Sequence, residues 1–343
     1  MNFRKNDTDV DQSPKKWHLA LLLILLVFLN PKAYAQQLYL DSLYANEEVE
    51  KSTYTYYSKP NEELKLDLFE PVSNEDLKRP VVIYVHGGGF SGGKRDYPNH
   101  NAFLRHLSSK GYVTATMSYT LQMKGQSFGC NQPAPNKITT FLETARDINR
   151  ASAFLIENRK KFAIDTTKIV LVGSSAGAEA VLHAAYWEAA KTDANAQILS
   201  PGFSYGGVIS MAGAIANLKL ITKETAIPTQ LFHGTCDQLV PYGEAPHHYC
   251  ATADAGYLLL YGAKPIADRL EHLHRGYYLV TGCNGGHEWA SSPLDNQRTE
   301  VVDFLYHDVL QNQHRQIRHF TATGKESCSG MYDSKACGIM QGK

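Results

Sequence analysis

An apolar run that ends in the sequence Gly-Ser-Ser-Ala-Gly, at residues 173–177, constrains the fold of this chain more than any other feature. The run before it, residues 168–172, is rich in Ile, Val and Leu, as buried strands are. Residues 176–190 follow and are rich in Ala, which favours a helix. Glycines on both sides of Ser175 let the backbone turn sharply and leave the hydroxyl unshielded. The pattern therefore predicts a nucleophile elbow between a strand and a helix.

Three further apolar runs end beside residues that carry chemistry. Residues 81–85 lead into His-Gly-Gly-Gly at 86–89, residues 230–234 lead to Asp237, and residues 277–281 lead through two glycines to His287. Helical patterns separate these runs along the chain, and strands that alternate with helices form mostly parallel sheets. We therefore expect an α/β fold with a mostly parallel central sheet and helices on both faces. Each candidate residue follows the carboxyl end of a strand.

The chain order Ser175, Asp237, His287, together with the glycine run, resembles the α/β-hydrolase family. The resemblance is closest to the carboxylesterase and hormone-sensitive-lipase-like branch, and it spans about residues 60 to 310. It implies an α/β-hydrolase fold in which Ser175 is the nucleophile, Asp237 the acid and His287 the base of a catalytic triad.

Ester cleavage explains why these residue types are needed. A serine hydroxyl is a weak nucleophile until a base removes its proton, and a carboxylate holds the imidazole base in the useful tautomer. The tetrahedral intermediate carries negative charge on the former carbonyl oxygen. The family resemblance implies that backbone N–H groups of Gly88, Gly89 and Ala176 form the oxyanion hole that stabilises this charge. No cofactor is expected.

Other residues leave alternatives open. Asp254 and Asp268 are further candidates for the acid, although the sequence around Asp237 looks like the acid loop of the family. Phe90 and Trp289 lie beside the motifs and are candidates to line the substrate pocket, but aromatic residues at strand ends also serve packing.

Two histidine-containing sequences favour structural roles. His247, His248 and Cys250 carry side chains that bind metals, but no second pair with the spacing of a structural zinc site accompanies them. We therefore expect no metal site. His86 is expected to support the glycine run, and Glu179 to be a structural residue of the helix after the elbow.

The N-terminus has the pattern of a secretory signal peptide. Lys15 and Lys16 precede an apolar stretch at 19–29 and an Ala-Tyr-Ala sequence, which predicts that residues 1–35 are removed after Ala35. The stretch is too short to span a bilayer comfortably, so no stable membrane anchor is expected after cleavage. Basic and acidic residues are equal in number, at 34 each, and nothing indicates binding to nucleic acid. We expect an exported protein, periplasmic or secreted.

The remaining chain is interpreted as one catalytic domain at residues 61–313. Residues 36–60 are polar and rich in Tyr, which indicates an exposed lead-in, and residues 314–343 form a C-terminal tail. Residues 120–137 contain several Gly and Pro and predict a long loop at the rim of the site. Predicted strands and helices nearly fill the intervals between the candidate catalytic residues. We therefore expect little or no cap domain and an open mouth.

All six cysteines lie after residue 35, and an even number in an exported protein favours disulfides. Cys328 and Cys337 would close a short loop in the tail, and the sequence places these two close together. Cys236 beside the acid and Cys283 before the base would tie the two loops together if they paired. Cys250 competes for either partner, so the sequence leaves the connectivity open.

These features together predict an exported serine hydrolase that cleaves carboxylic esters through an acyl-enzyme intermediate. Its expected substrate is a small-molecule ester or an ester on a polysaccharide, such as an acetyl or feruloyl group. One alternative is a serine peptidase of the same fold, although the chain has no room for the propeller typical of related oligopeptidases. A second alternative is a noncatalytic binding protein, which would usually have lost a triad residue.

Overall fold

The computed structural model describes Met1, residues 37–72, 78–193 and 196–322, and Cys337. The chain divides into two units, Met1–Gln37 and Leu38–Lys343, and the helices and strands of the described residues belong to the second unit. The predicted signal peptide lies outside the described residues apart from Met1. Among the helices of the described residues, none combines the length and the apolar character needed to cross a bilayer.

The described residues form one large sheet, two short ribbons and five α-helices. The strands are β1 Val49–Lys59, β2 Glu62–Pro71, β3 Arg79–Val85, β4 Val113–Met117, β5 Ile164–Ser174, β6 Thr192–Asp193, β7 Ala196–Gln197, β8 Gly207–Met211, β9 Thr229–Gly234, β10 Glu244–Pro246, β11 Leu259–Tyr261, β12 Tyr277–Cys283 and β13 Gln316–Ala322. The helices are α1 Pro98–Ser108, α2 Ala134–Glu157, α3 Ala176–Tyr186, α4 Ala263–His272 and α5 Arg298–Phe304, which continues as a π-helical segment, Leu305–Leu310.

The large sheet has nine strands in the order β1-β2-β4-β3-β5-β8-β9-β12-β13. β2 pairs antiparallel with β1 and β4, and all other neighbours are parallel. Every residue of β3, β4, β8, β9 and β12 is buried, as expected for parallel strands covered on both faces. The structure therefore confirms the predicted fold class.

Two apolar clusters fill the space on the two faces of the sheet. Successive residues of a strand point to opposite faces, so Val81 and Ile83 belong to one cluster and Val82 and Tyr84 to the other. The first cluster includes residues of α2 and α3, and the second includes residues of α1 and α5. The helices thus bury both faces of the central strands and leave the loops at their ends to carry the site.

The edges of the sheet differ from the sequence interpretation. The sequence predicts an exposed lead-in at residues 36–60, but Val49–Lys59 form edge strand β1 and pair with β2 along its length. Gln316–Ala322, which the sequence assigns to the tail, form the opposite edge strand β13. Both strands have many half-exposed residues. An edge strand needs few apolar side chains, because neighbouring elements cover only part of its surface.

The disulfides also differ from the pairings that the sequence suggests. Cys283 is bonded to Cys337, and Cys130 is bonded to Cys250. The first bond excludes both a Cys328–Cys337 pair and a Cys236–Cys283 pair, so these two hypotheses are wrong. The C-terminal tail is instead tied to the strand that precedes the base.

Candidate active site

The elbow between β5 and α3 has the sharp geometry that the sequence predicts. Ser175 has φ 52° and ψ −121°, a left-handed backbone that few non-glycine residues adopt. A Cβ atom on Gly173 would lie 2.3 Å from the carbonyl oxygen of Gly177, and a Cβ on Gly177 would lie 2.2 Å from that of Val85. Since no side chain fits in such contacts, both positions require glycine.

Three side chains that are distant in sequence meet at one edge of the sheet. The Oγ atom of Ser175 lies 2.8 Å from Nε2 of His287, and Nδ1 of the same imidazole lies 2.7 Å from Oδ2 of Asp237. An ionised carboxylate only accepts hydrogen bonds, so Nδ1 carries the proton and Nε2 is free to accept the serine proton. The Ser175 side chain is partly exposed and that of His287 is 25% exposed, so solutes reach the reacting atoms.

Asp237 is buried, and its surroundings favour the ionised form. Its Oδ1 atom accepts hydrogen bonds from the backbone N–H groups of Leu239, at 2.9 Å, and Val240, at 3.0 Å. Burial raises its pKa, but hydrogen bonds from His233 and His287 outweigh burial, and the net effect lowers the pKa below its ordinary value. Asp237 therefore remains a carboxylate at neutral pH.

His233 is a contact of the acid that the sequence interpretation did not assign. Its Nε2 atom lies 3.3 Å from Oδ2 of Asp237 and 3.1 Å from the carbonyl oxygen of Val240. It is the next-to-last residue of the buried strand β9, four residues before the acid, and its side chain is fully buried. The spacing is visible in the sequence, but only the turn after β9 brings the ring onto the carboxylate.

Backbone contacts join the acid loop to the base loop. The N–H of Cys236 donates to the carbonyl oxygen of Gly285 at 2.7 Å, and the N–H of Asn284 donates to Oγ1 of Thr235 at 2.9 Å. A Cβ atom on Gly234 would lie 2.4 Å from the carbonyl oxygen of Gly285. The sequence hypothesis placed a disulfide between these loops, whereas hydrogen bonds and a close glycine contact connect them.

The glycine run packs against the elbow and presents free backbone donors. A Cβ atom on Gly87 would lie 2.8 Å from the carbonyl oxygen of Ser174, which shows how closely the two loops approach. Gly88 and Gly89 have φ values of 121° and 60°, which glycine adopts without strain. Within the described part of the chain, the N–H groups of Gly88, Gly89 and Ala176 donate to no protein acceptor. They are available to a bound anion or oxyanion.

His86 lies behind this loop and contacts its backbone. Its Nδ1 atom lies 2.8 Å from the carbonyl oxygen of Gly87, and its ring stacks on Tyr119 with ring centroids 4.5 Å apart. The Tyr119 hydroxyl donates to the His86 carbonyl oxygen at 3.0 Å. Burial lowers the pKa of His86, so the ring is neutral at pH 7. These contacts hold the start of the glycine run in place.

Phe90 and Trp289, predicted as candidates for the substrate pocket, pack inside the protein instead. The Phe90 side chain has no exposed surface and contacts Phe128 and Phe141 edge to face. Trp289 is 4% exposed and belongs to the apolar cluster on the other face of the sheet. Neither ring offers surface to a substrate, so this prediction needs correction. Proximity to a motif in sequence did not determine the direction of the side chain.

A buried polar cluster lies one helical turn beyond the elbow. The N–H of Glu179 donates to the carbonyl oxygen of Ser175, and Oε1 of Glu179 lies 3.5 Å from Nε2 of His247. Lys137 is fully buried and donates to the carbonyl oxygen of Gly256 at 2.9 Å. Burial raises the pKa of Glu179 and lowers that of His247, which favours neutral forms of both.

The alternative acids and the metal-ligand residues lie in other environments. Asp268 pairs with Lys264 and Arg318, and Asp254 accepts a hydrogen bond from the backbone of its own turn. Within the described residues, Cys130, Cys250 and Asp254 are close enough to share a metal, but the two sulfur atoms are bonded to each other. That cluster has no thiolate to offer a metal ion.

Comparison with known proteins finds mainly esterases, together with a neuroligin-like protein of Caenorhabditis elegans and an endo-1,4-beta-xylanase of Butyrivibrio fibrisolvens. A family model described as BD-FAE matches residues 66–216. Gut esterase 1 of Caenorhabditis briggsae is 31% identical over 118 residues, which are 34% of this chain and 20% of that protein. Fumonisin B1 esterase of Sphingopyxis macrogoltabida is 30% identical over 120 residues, 34% of this chain and 22% of that protein. The chain thus spans about a fifth of the length of these relatives.

Solved structures extend the likeness to most of the chain. The propionate-bound form of Est2, an esterase of Thermogutta terrifontis, has a TM-score of 0.54 and 16% identity, and covers 79% of this chain and 96% of its own. At this identity the likeness establishes the fold.

Proposed function

We propose that this chain is a serine esterase of the α/β-hydrolase superfamily and that it hydrolyses carboxylic esters. The observation that carries the proposal is the unbroken series of hydrogen bonds from Ser175 Oγ through His287 to Asp237, with free backbone donors beside the hydroxyl. Matches to esterases support the same reaction class.

Acylation begins when Ser175 Oγ attacks the ester carbonyl carbon and its proton passes to His287 Nε2. The resulting imidazolium lies 2.7 Å from the Asp237 carboxylate, whose negative charge stabilises it. The carbonyl oxygen becomes an oxyanion beside the N–H groups of the glycine run and of Ala176. One such donor typically contributes about 3 to 4 kcal/mol to stabilisation of the transition state.

Collapse of the tetrahedral intermediate breaks the bond to the alcohol oxygen, which takes the proton from His287 Nε2 as it leaves. Water then enters the same position, gives a proton to His287, and attacks the acyl carbon. Collapse of the second intermediate releases the carboxylic acid, and His287 Nε2 returns its proton to Ser175 Oγ. Since each proton taken is given back, the cycle needs no cofactor.

The substrate proposed is a small-molecule ester or an acetyl or feruloyl ester carried by a polysaccharide. Partial exposure of Ser175 and the exposed edge of His287 support access for a large alcohol portion. We also propose that the protein is exported after loss of residues 1–35. Disulfides at Cys130, Cys250 and Cys283 support an oxidising compartment, and N-terminal sequencing of the mature protein tests the cleavage site.

The decisive experiment removes the proposed nucleophile. Ser175→Ala should abolish both turnover and labelling by a fluorophosphonate, whereas Ser200→Ala, on an exposed residue, should keep both. An unlabelled wild-type protein with a normal melting transition would favour a noncatalytic binding protein. Rates on acetyl, butyryl, octanoyl and feruloyl esters would then define the acyl group, and cleavage of peptides but no esters would favour a peptidase.

A further inference from the structure

Ser174 places a hydroxyl group at a strand end that is otherwise surrounded by apolar side chains. It is the last residue of β5 and precedes the proposed nucleophile, Ser175. Because successive strand residues point to opposite faces, its side chain lies on the face of Val170 and Val172, which belong to the same apolar cluster as Trp289. Ser174 is 7% exposed. A buried hydroxyl needs a hydrogen-bond partner, and the identity of that partner indicates what the residue does.

The partner of this hydroxyl lies on the turn that carries the base. Ser174 Oγ donates a hydrogen bond to the backbone carbonyl oxygen of Ala290, the last residue of the 3₁₀ turn His287–Ala290. In the helical segment that follows, Pro293 has no N–H, and the N–H of Leu294 donates to a different carbonyl oxygen. Ser174 thus supplies the Ala290 carbonyl with a hydrogen bond that the backbone of these two residues does not.

Two hydrogen bonds therefore connect the elbow with the base turn. The first joins Ser175 Oγ to Nε2 of His287, at 2.8 Å. The second joins the neighbouring Ser174 hydroxyl to Ala290, three residues after the base. Together with the two short stretches of backbone, these bonds close a ring. The second bond therefore limits how far the base turn can move from the elbow.

Trp289 holds the same turn against the end of β12. A Cβ atom on Gly282 would lie 2.0 Å from Cε2 of the indole, and a Cβ on Gly285 would lie 2.2 Å from its Nε1 atom. The indole therefore rests directly on bare backbone, and Trp289 is 4% exposed. The side chain of His287 is 25% exposed. Its position consequently depends on the backbone of the turn as well as on the hydrogen bond to Asp237.

We propose that Ser174 is a positioning residue that keeps His287 Nε2 within proton-transfer distance of Ser175 Oγ. It takes no part in the bond changes and acts through Ala290. Proton transfer needs heavy atoms within about 2.6 to 3.2 Å of each other, so the observed 2.8 Å tolerates a displacement of only about 0.4 Å. Loss of the Ser174 hydroxyl would leave the buried Ala290 carbonyl without this donor and favour such a displacement. The inference rests on the proposed esterase function.

Ser174→Ala tests the proposal because it removes the hydroxyl and leaves the backbone of the strand unchanged. We expect kcat and kcat/KM for 4-nitrophenyl acetate to fall together by about tenfold, with KM within about twofold of wild type, because proton transfer is impaired and ester binding is not. The rate of labelling by a fluorophosphonate should fall by a similar factor, since it also requires activation of Ser175. Ser174→Thr keeps a hydroxyl and should retain kcat within about threefold of wild type.

Ser108→Ala is the matched control. Ser108 is also buried, and its hydroxyl also donates to a backbone carbonyl, that of Phe69, at 3.3 Å. It ends α1, just before β4, and so lies at the end of the parallel strands away from the site. Both alanine variants lose a buried hydrogen bond and should have similarly lowered melting temperatures. Only Ser174→Ala should have a lowered kcat.

The possible outcomes separate this inference from the proposed function. A folded Ser174→Ala with kcat within about twofold of Ser108→Ala, or an equal loss of kcat in Ser174→Thr and Ser174→Ala, would overturn the inference and leave the esterase function standing. A loss of kcat/KM that arises from a raised KM would also overturn it, because the hydroxyl would then act on ester binding. Wild-type protein with neither turnover nor labelling would overturn both.

Discussion

The contact between the acid and base loops offers the sharpest test of how the site is assembled. In Gly234→Ala the new Cβ atom would lie 2.4 Å from the carbonyl oxygen of Gly285 and 2.5 Å from that of Gly286. Ordinary van der Waals contact needs about 1 Å more, and both neighbours are backbone atoms that cannot rotate away. The base loop must therefore move away from the acid loop by about that amount.

Such a displacement would disrupt the hydrogen bond between His287 and Asp237, which is 2.7 Å long in the wild type. Misplacement of a catalytic group by 1 Å typically lowers the rate by about 100-fold, equivalent to about 2.7 kcal/mol of transition-state stabilisation. Overpacking should also lower the free energy of unfolding by about 1 to 3 kcal/mol. We expect kcat/KM for 4-nitrophenyl acetate to fall by about that factor in a protein that still folds.

Gly92→Ala is the matched control, because a Cβ atom there meets no atom within 4 Å and its backbone is not left-handed. It should keep wild-type kcat/KM and a wild-type melting temperature. If folded Gly234→Ala retained kcat/KM within about threefold of the control, the close loop contact would not position the imidazole, and the reasoning would be refuted.

Three further predictions concern the acid, the buried cluster and a disulfide. Asp237→Asn should lower kcat on the order of 10⁴-fold. Because the pKa of the Asp237 carboxyl is lowered by folding, the carboxylate stabilises the protein above its unfolded pKa and less so below it. The melting-temperature gap between wild type and Asp237→Asn should therefore stay constant from about pH 7 to pH 5 and narrow as the pH falls further toward about pH 3. Glu179→Gln should be at least as stable as wild type in thermal melts at about pH 8, because a buried carboxyl with a raised pKa lowers the stability of the fold as the pH rises. A clearly lower melting temperature of the variant would contradict a neutral Glu179 in the wild type. Replacing Cys130 and Cys250 by serine opens a loop of 120 residues and should lower the free energy of unfolding by about 2 to 5 kcal/mol in denaturant titrations. An unchanged free energy of unfolding would mean that hydrogen bonds alone hold the rim loop that contains Cys130.

Much of the site is visible in the sequence because it is encoded locally. A buried strand that ends in two glycines around Ser175 can continue into a helix through few backbone conformations. The glycine run at 86–89 has no side chains that would shield its backbone N–H donors, whatever its position in the fold. Asp237 and His287 each follow an apolar run, and parallel strands bring such ends to one edge of a sheet. These arguments predict which three side chains meet, and the distances between them agree.

Other features depend on packing between segments that are distant in sequence. The polar, Tyr-rich segment that contains β1 has the pattern of an exposed lead-in, because an edge strand shows little of the alternation that identifies a half-buried one. Phe90 follows the glycine run, yet its ring points into a cluster formed with Phe128 and Phe141, and no local pattern gives that direction.

By itself, the sequence determined the pattern of the central strands and helices, the elbow and the identity of the candidate triad, because short-range sterics and side-chain periodicity act within a few residues. The tertiary structure alone decided that Cys283 is bonded to Cys337 and that His233 contacts the acid. These contacts join segments far apart along the chain. Their energies depend on distances that exist only after the whole sheet has formed.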